Sequence, residues 1–112
     1  MVKVLAGARV YGSFIVQPLV SFTFGELLES TAAKSPTPGG GAVAAAVGAL
    51  AAALAGMVVS YSVGKKNLAE HEGWLRDVEK RLARARALML GLAGEDEAAY
   101  GQVNELMKLP AG

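Results

Sequence analysis

The spacing of apolar and polar residues predicts a helical chain that follows an irregular N-terminal arm. Residues 1–19 mix apolar patches with glycines, a pattern that favours an irregular or weakly extended arm over regular strands. Thr23 and Glu26 have the spacing of a capping box, so a first helix should begin there and run to about Lys34. Residues 35–38 contain two prolines and should end that helix, because proline cannot continue it.

The second predicted helix, Gly41–Val63, carries no charged residue. Its 23 residues would form a helix of about 34 Å, which is long enough to cross a bilayer. The stretch is rich in Ala and Gly and poor in Leu, Ile and Phe, which favours the middle helix of a tight soluble bundle over a membrane span. Small residues recur at every fourth position and form a strip that another helix can approach closely. This strip is Ala44, Gly48, Ala52, Gly56 and Ser60.

The region after residue 66 has the clearest helical periodicity. Two series of residues seven positions apart, offset by three, predict a packed seam along a third helix, Leu68–Leu92. Gly94 interrupts the pattern, and the acids that follow it predict the start of a fourth helix that runs towards Leu109. The seam consists of Leu68, His71, Leu75, Val78, Leu82, Ala85, Met89 and Leu92.

The predicted fold class is therefore all-α, an antiparallel helical bundle with one long buried Ala/Gly-rich helix. Three partner segments from a chain of 112 residues can barely cover such a helix on all sides. We therefore expect a homodimer to complete the bundle.

Composition restricts the chemistry that the chain can perform. Eleven basic and ten acidic residues give a net charge of +1, unlike the strongly basic surface of a general nucleic-acid binder. The hydrophobic content of 53% excludes a disordered chain. With no Cys and one His, disulfides, thiol nucleophiles and the usual His- or Cys-ligated zinc sites are excluded. Any chemistry falls to carboxylates, lysines, hydroxyls and the backbone.

The most distinctive local motif is the loop Ser35–Gly41, which ends in three glycines. Glycines at a helix start leave backbone N–H groups free to face an anion and let a ligand approach the backbone closely. A plain connector between two helices would also use proline and glycine, so both interpretations stay open. Lys65 and Lys66 follow Gly64, a pattern typical of a helix C-terminus, and their charges could attract an acidic ligand.

Asp96 is the candidate acid of the last predicted helix. Acids are expected at a helix start for electrostatic reasons alone. However, Asp96 is followed by Ala98, Ala99 and Tyr100, and a carboxyl group turned inward beside the aromatic ring could act as a general acid. His71, on the predicted seam, is interpreted as a packed residue, and Trp74 as a core or seam-edge residue.

Five motifs, taken in order, resemble the cyclodeaminase/cyclohydrolase family of folate enzymes. That family includes the cyclodeaminase part of formiminotransferase-cyclodeaminase and stand-alone methenyltetrahydrofolate cyclohydrolases. The resemblance covers about residues 20–110. The motifs are Phe24-Gly25-Glu26-Leu27-Leu28, Ser35-Pro36-Thr37-Pro38-Gly39-Gly40-Gly41, Ser62-Val63-Gly64-Lys65-Lys66, Asp96-Glu97-Ala98-Ala99-Tyr100 and Met107-Lys108-Leu109-Pro110.

The resemblance implies that residues 20–112 are the N-terminal part of a cytoplasmic, dimer-forming helical domain. It implies a tetrahydrofolate derivative as the bound partner, with no nucleic acid, no membrane and no metal, and no cofactor beyond tetrahydrofolate as the substrate carrier. The family's proton donor is an Asp in a D-x-x-A-[FY] pattern, which Asp96 matches. The residues implied to bind substrate are Pro38, Gly39, Gly40, Gly41, Lys65 and Lys66.

The implied reaction converts 5-formiminotetrahydrofolate to 5,10-methenyltetrahydrofolate and ammonia, or hydrolyses methenyltetrahydrofolate. The chain departs from the family at Ala42, where a Ser is frequent, and at Tyr100, where Phe is usual. Family domains also continue with further helices, so we expect weak or no activity from these 112 residues alone. The alternatives are a non-catalytic helical assembly protein on the same scaffold and a single-span membrane protein.

Overall fold

The structure, a computed structural model, describes residues 9–11, 14–35 and 38–109. In chain order the regular elements are β1 (Arg9–Tyr11), β2 (Phe14–Val16), α1 (Phe24–Ala32), α2 (Gly40–Ser62) and α3 (Glu72–Met107). Short 3₁₀ helices occur at Leu19–Ser21 and Lys66–His71. The fold is all-α, as predicted, apart from one small hairpin near the N-terminus.

The hairpin corrects the prediction of an irregular or weakly extended arm at residues 1–19, because two regular strands pair within it. β1 and β2 pair antiparallel, with Val10 opposite Ile15. The residues of both strands are largely β-branched or aromatic, types that favour strand pairing. Two residues separate the strands, which is a common hairpin spacing. Gly12, between the strands, is one of the glycines on which the prediction of an irregular or weakly extended arm rests, and residues 1–8 lie outside the described part.

The capping box predicted at Thr23 is confirmed. The Glu26 N–H donates to Thr23 Oγ1 at 3.2 Å, and the Thr23 N–H donates to Glu26 Oε1 at 3.1 Å. α1 begins directly after this cap and ends at Ala32, two residues before the predicted Lys34. No residue of Phe24–Ala32 is buried, so α1 contributes no residue to the buried core.

The long Ala/Gly-rich helix is confirmed as α2, and Gly48 on its small-residue face lies against Met89 of α3. The chain divides into two compact units, one of residues up to Ala44 together with those from Leu92, the other Ala45–Gly91. In the second unit, Ala49 is buried, and a methyl group added to Gly48 would lie 3.2 Å from Met89 Sδ. The two helices therefore approach closely at Gly48, whereas a methyl group added to Gly56 would meet nothing within 4 Å.

The seam of α3 is confirmed in its middle and wrong at both ends. Leu75 is buried, and the seam residues from Val78 to Met89 are half-buried. His71 lies in the 3₁₀ helix with its side chain 58% exposed, at 3.6 Å from the Glu70 carboxylate. Leu92 is also exposed. Trp74, which we expected near the core, is 66% exposed.

The turn between α2 and α3 uses Gly64, whose φ of 84° lies in the left-handed region that favours glycine. The Gly64 N–H donates to Glu72 Oε2 at 3.1 Å, and Glu72 Oε1 accepts from Arg76 Nε at 3.0 Å. Glu72 thus joins the turn to the first residues of α3.

The predicted break at Gly94 is wrong, because α3 is one helix of 36 residues. Gly94 has no positive φ, so it does not cap a helix. An isolated glycine costs a helix only about 1 kcal/mol, and helix-forming residues flank it on both sides. The acids Glu95 to Glu97 therefore lie in the middle of a helix and not at its start.

The large apolar side chains of α2 remain exposed within a single chain. Among the described residues one helix, Gly40–Ser62, is long and apolar enough by length and composition to span a membrane. The long helix is therefore only partly buried by its own chain, on the small-residue side. The exposed large residues of α2 are Val47, Leu50, Leu54, Met57, Val58 and Tyr61.

Candidate functional site

A small core in the first unit fixes the start of α2 beside the second half of α3. Ala42 on α2 is fully buried and Ala93 on α3 is nearly so. Glu97, one turn after Ala93, lies on the same helix face and is also buried. Leu19, from the 3₁₀ helix before α1, completes this core. The backbone around Gly41 and Asp96 is thereby held by packed neighbours.

Glu97 is a buried carboxylate that the sequence interpretation treated as a helix-start acid. Both of its oxygens accept from the Leu19 N–H, at 3.1 Å and 3.0 Å. This contact joins the segment before α1 to α3 across 78 positions of sequence. The sequence feature that could have indicated its burial is its spacing. Glu97 lies four residues after Ala93 and four before Gly101, and both of these are buried on the same helix face.

Asp96 lies directly against Gly41, so the structure brings together two of the predicted site motifs. A Cβ atom built on Gly41 would lie 2.8 Å from each carboxylate oxygen of Asp96 and 2.9 Å from its Cγ. The carboxylate therefore occupies the space that a side chain at position 41 would fill. Asp96 itself remains exposed, and Tyr100 is 40% exposed. The interpretation in which the Asp96 carboxyl turns inward beside Tyr100 is therefore wrong.

The glycine loop leads into the first turn of α2. Gly39 has a φ of 84°, and its carbonyl oxygen accepts the Val43 N–H at 3.1 Å. The N–H groups of a helix's first turn have no acceptor within the helix, so they face whatever lies at that end. Asp96 lies beside this turn through its contact with Gly41.

A cleft of about 160 Å³ lies on the α1 side of the same loop. Pro38 is buried at its edge, and the Thr31 hydroxyl donates to the Leu27 carbonyl within α1. Backbone and hydroxyl groups around a small cleft are suited to polar groups of a ligand. The cleft is lined by Ser30, Thr31, Ser35, Pro38, Gly39, Gly40 and Val43.

The two predicted lysines lie elsewhere on the chain. Lys65 and Lys66 are exposed and follow the C-terminal end of α2, whereas the glycines lie at its N-terminal end. A helix of 23 residues is about 34 Å long. The lysines belong to the second compact unit, whereas the Gly41–Asp96 contact lies within the first. Within the described residues, no three His, Asp or Glu side chains form a group that could hold a metal ion.

Ala42 occupies the position at which a Ser was expected from the resemblance. Its side chain is fully buried in the first turn of α2. A hydroxyl group here would face the small core and not the loop surface. The substitution therefore removes no exposed hydroxyl group from the site of this chain.

The arrangement can bind a polar ligand and move a proton. The site offers one exposed carboxylate, the N–H groups of a glycine-rich helix start and a small cleft lined partly by hydroxyls. A carboxyl group in reach of a ligand can donate or accept a proton during a reaction. The helix start can hold a negative or strongly polar group of the same ligand.

Comparison with known proteins adds to this geometry. Residues 23–112 match the formiminotransferase-cyclodeaminase family. The chain is 36% identical over 88 residues to a methenyltetrahydrofolate cyclohydrolase of Methylorubrum extorquens, an alignment that covers 79% of this chain and 42% of the relative. It is 34% identical over 92 residues to a formimidoyltransferase-cyclodeaminase of Gallus gallus, covering 82% of this chain and 17% of that protein.

A formimidoyltransferase-cyclodeaminase of Mus musculus is similar to the same extent, at 34% identity over 94 residues, covering 84% of this chain and 17% of the relative. The chain thus spans less than half the length of these curated relatives. No solved structure matches the chain.

Proposed function

Because the chain belongs to the formiminotransferase-cyclodeaminase family, we propose that it acts on a one-carbon derivative of tetrahydrofolate. The observation that carries the proposal is the Asp96 carboxylate, held against Gly41 at the start of α2. The relatives are named for two reactions, cyclodeamination and cyclohydrolysis, and both open or close the same five-membered ring. One positioned carboxyl group can serve either reaction.

In the cyclodeaminase reaction, Asp96 is the proposed general acid. N10 of 5-formiminotetrahydrofolate attacks the formimino carbon on N5, which closes the ring and makes that carbon tetrahedral. The former imino nitrogen is a poor leaving group until it is protonated, and Asp96 supplies this proton. The nitrogen then leaves as ammonia, N10 gives up its own proton, and 5,10-methenyltetrahydrofolate remains.

In the cyclohydrolase reaction, the same carboxylate acts as the base. Water attacks the methenyl carbon and Asp96 accepts one of its protons. A ring C–N bond then breaks as the Asp96 carboxyl returns this proton to the departing nitrogen, and the remaining hydroxyl group loses its proton to leave the formyl group. In both reactions, binding holds the reacting atoms of the substrate close together. The glycine-rich helix start and the cleft beside it are the proposed binding elements. The proposed site residues are Pro38, Gly39, Gly40, Gly41, Lys65, Lys66 and Asp96.

Substrate binding and turnover test the proposal together. The chain is titrated with 5-formyltetrahydrofolate as a stable probe, followed by the fluorescence of its single, exposed Trp74 and by calorimetry. Turnover is followed by the absorbance of the methenyl product, with ammonia release separating the two reactions. Absence of both saturable binding and turnover would overturn the proposal.

Asp96→Asn tests the acid. The amide keeps the size of the side chain but cannot deliver the proton, so kcat should fall by about 10²–10⁴-fold while the melting temperature hardly changes. Asp77→Asn is the matched control, since Asp77 is the other aspartate and pairs with Arg81 on an exposed surface. A kcat for Asp96→Asn within about threefold of the unmodified chain would show that the acid is misassigned.

We also propose a cytoplasmic homodimer in which the exposed face of α2 is covered. Its large apolar residues recur at spacings of three and four, as in a coiled-coil seam, and they are between 50% and 71% exposed. A soluble protein rarely leaves such a face uncovered. A second copy also offers a route for its Lys65 and Lys66 to approach the site. The seam is Val47, Leu50, Leu54, Met57 and Tyr61.

A non-catalytic assembly protein on the same scaffold is the alternative. It predicts a stable dimer with no saturable binding of the folate probe. A single-span membrane protein predicts recovery of the chain only from detergent-extracted membranes, with Gly40–Ser62 protected from proteolysis. The same preparation therefore separates all three functions.

A further inference from the structure

We infer that Gly41 is a positioning residue whose missing side chain makes the space for the Asp96 carboxylate. The inference rests on the proposed function only where it concerns turnover, because the placement itself is a property of the folded chain. It gives one of the three consecutive glycines a role different from contact with a ligand.

The distances from a built Cβ atom to its surroundings distinguish Gly41 from its neighbour Gly40 in the first turn of α2. A Cβ on Gly41 would lie 2.8 Å from both oxygens of Asp96, closer than real Cβ contacts allow. A Cβ on Gly40 would meet nothing within 4 Å. Adjacent glycines of one helix turn therefore differ completely in what a methyl group would encounter.

Backbone conformation does not explain the glycine. Within the described residues, positive φ angles occur at Gly39 and Gly64, so Gly41 has an ordinary helical backbone that alanine also adopts. Alanine is the better helix former at such a position. Glycine is therefore needed at position 41 because it leaves space for the Asp96 carboxylate, and not because of its backbone conformation.

The carboxylate, and not the helices, is the part that must move when this space is filled. Ala42, next to Gly41, and Glu97, next to Asp96, are both buried, so packing holds the two backbones. Rotation of the Asp96 side chain is the cheapest response to an added methyl group. Gly41→Ala should therefore leave the fold intact and displace the proposed acid.

Carboxyl ¹³C NMR of aspartate-labelled protein tests the placement directly. The chain has two aspartates, so the spectrum has two carboxyl signals, and Asp96→Asn assigns them. We expect Gly41→Ala to shift the Asp96 signal and leave the signal of Asp77, which pairs with Arg81 at 2.9 Å. Gly40→Ala should leave both signals in place. An unmoved Asp96 signal in Gly41→Ala, or an equal shift in Gly40→Ala, overturns the inference.

Kinetics tests the consequence for catalysis. We expect Gly41→Ala to lower kcat at least tenfold with a smaller change in KM, and Gly94→Ala, whose methyl group meets nothing within 4 Å, to stay within threefold. Adding Gly41→Ala to Asp96→Asn should cause no further loss. A full kcat in Gly41→Ala despite a shifted signal overturns the positioning role. A shifted signal in a chain that shows neither saturable folate binding nor turnover supports the placement and overturns the proposed function instead.

Discussion

Two adjacent carboxylates of α3, Asp96 and Glu97, occupy different environments because successive residues of a helix point about 100° apart. Asp96 is exposed and lies against the start of α2, where it can meet a ligand. Glu97 is buried and accepts from a backbone N–H group. Asp96 is therefore suited to proton transfer, whereas Glu97 holds the part of the α3 backbone that carries Asp96.

Glu97→Ala should lower the free energy of unfolding by about 1–3 kcal/mol, because it leaves the buried Leu19 N–H without this acceptor. Glu97→Gln keeps an acceptor oxygen and should cost less. Urea denaturation measures both, with Glu95→Ala as the control, since Glu95 is exposed on the same helix turn. If Glu97→Ala is no more harmful than Glu95→Ala, the Leu19 contact has no energetic role.

The capping box makes the stability of α1 depend on pH. Hydrogen bonds with Thr23, first from its side chain and then from its backbone, lower the pKa of Glu26 below the usual value. A carboxyl group whose pKa is lower in the folded state contributes stability above its unfolded pKa and loses it as pH falls through the folded pKa. The cap should therefore weaken as the pH falls below the usual pKa of a glutamate side chain.

Thr23→Ala should raise the pKa of Glu26 towards its ordinary value and cost about 0.5–2 kcal/mol of stability. Titration of the glutamate carboxyl carbons by NMR measures the first effect. Ser21→Ala is the control, because the Ser21 hydroxyl bonds to the Pro18 carbonyl outside the cap. A pKa of Glu26 that is the same in Thr23→Ala and Ser21→Ala would contradict the hydrogen-bond explanation.

At the scale of elements, the two glycines Gly64 and Gly94 have opposite roles. Gly64 has a positive φ and ends the α2 region, whereas Gly94 lies in regular helix with open space around it. Gly94→Ala should therefore stabilise the protein by about 0.5–1 kcal/mol. Gly64→Ala should destabilise it by about 1–2 kcal/mol, since alanine is strained in the left-handed region. Thermal denaturation of the two variants is the measurement. A lower melting temperature for Gly94→Ala would support a helix break at Gly94 and contradict the continuous helix.

Sequence pattern predicted the elements whose signals are local. The capping box at Thr23, the Ala/Gly-rich helix and the middle of the seam each depend on residues a few positions apart. The continuity of α3 was not predictable from Gly94 and the acids after it, because glycine can either end a helix or be tolerated inside it. His71 was misplaced since the seam was extended one turn before the helix begins.

The candidate site was predictable as motifs and not as geometry. Asp96 and the glycine loop were both identified, but their contact joins residues 55 positions apart and depends on how α2 and α3 pack. The same holds for Glu97 and Leu19, which are 78 positions apart. Long-range pairings of this kind leave no periodic trace in a single sequence.

At the scale of the whole molecule, the exposed seam of α2 determines the expected assembly. Leu54→Lys places a charge in the middle of this seam and should convert the proposed dimer to monomers or raise its dissociation constant at least tenfold. Ala87→Lys is the control, because Ala87 is exposed on α3 next to Arg86. Sedimentation velocity at micromolar concentration measures both variants. A dimer of Leu54→Lys as stable as that of Ala87→Lys would exclude this face from the interface.

The small-residue face of α2 also has a consequence in time. Its partner in the second unit extends to Met89, which the ribosome adds 27 residues after Ser62. At about 5–20 residues per second, that takes roughly 1–5 s. During this interval an uncharged helix with the length and composition of a membrane span is complete and uncovered. The newly made chain therefore passes through a state in which the small-residue face of α2 is also uncovered, until the part of α3 that contains Met89 arrives.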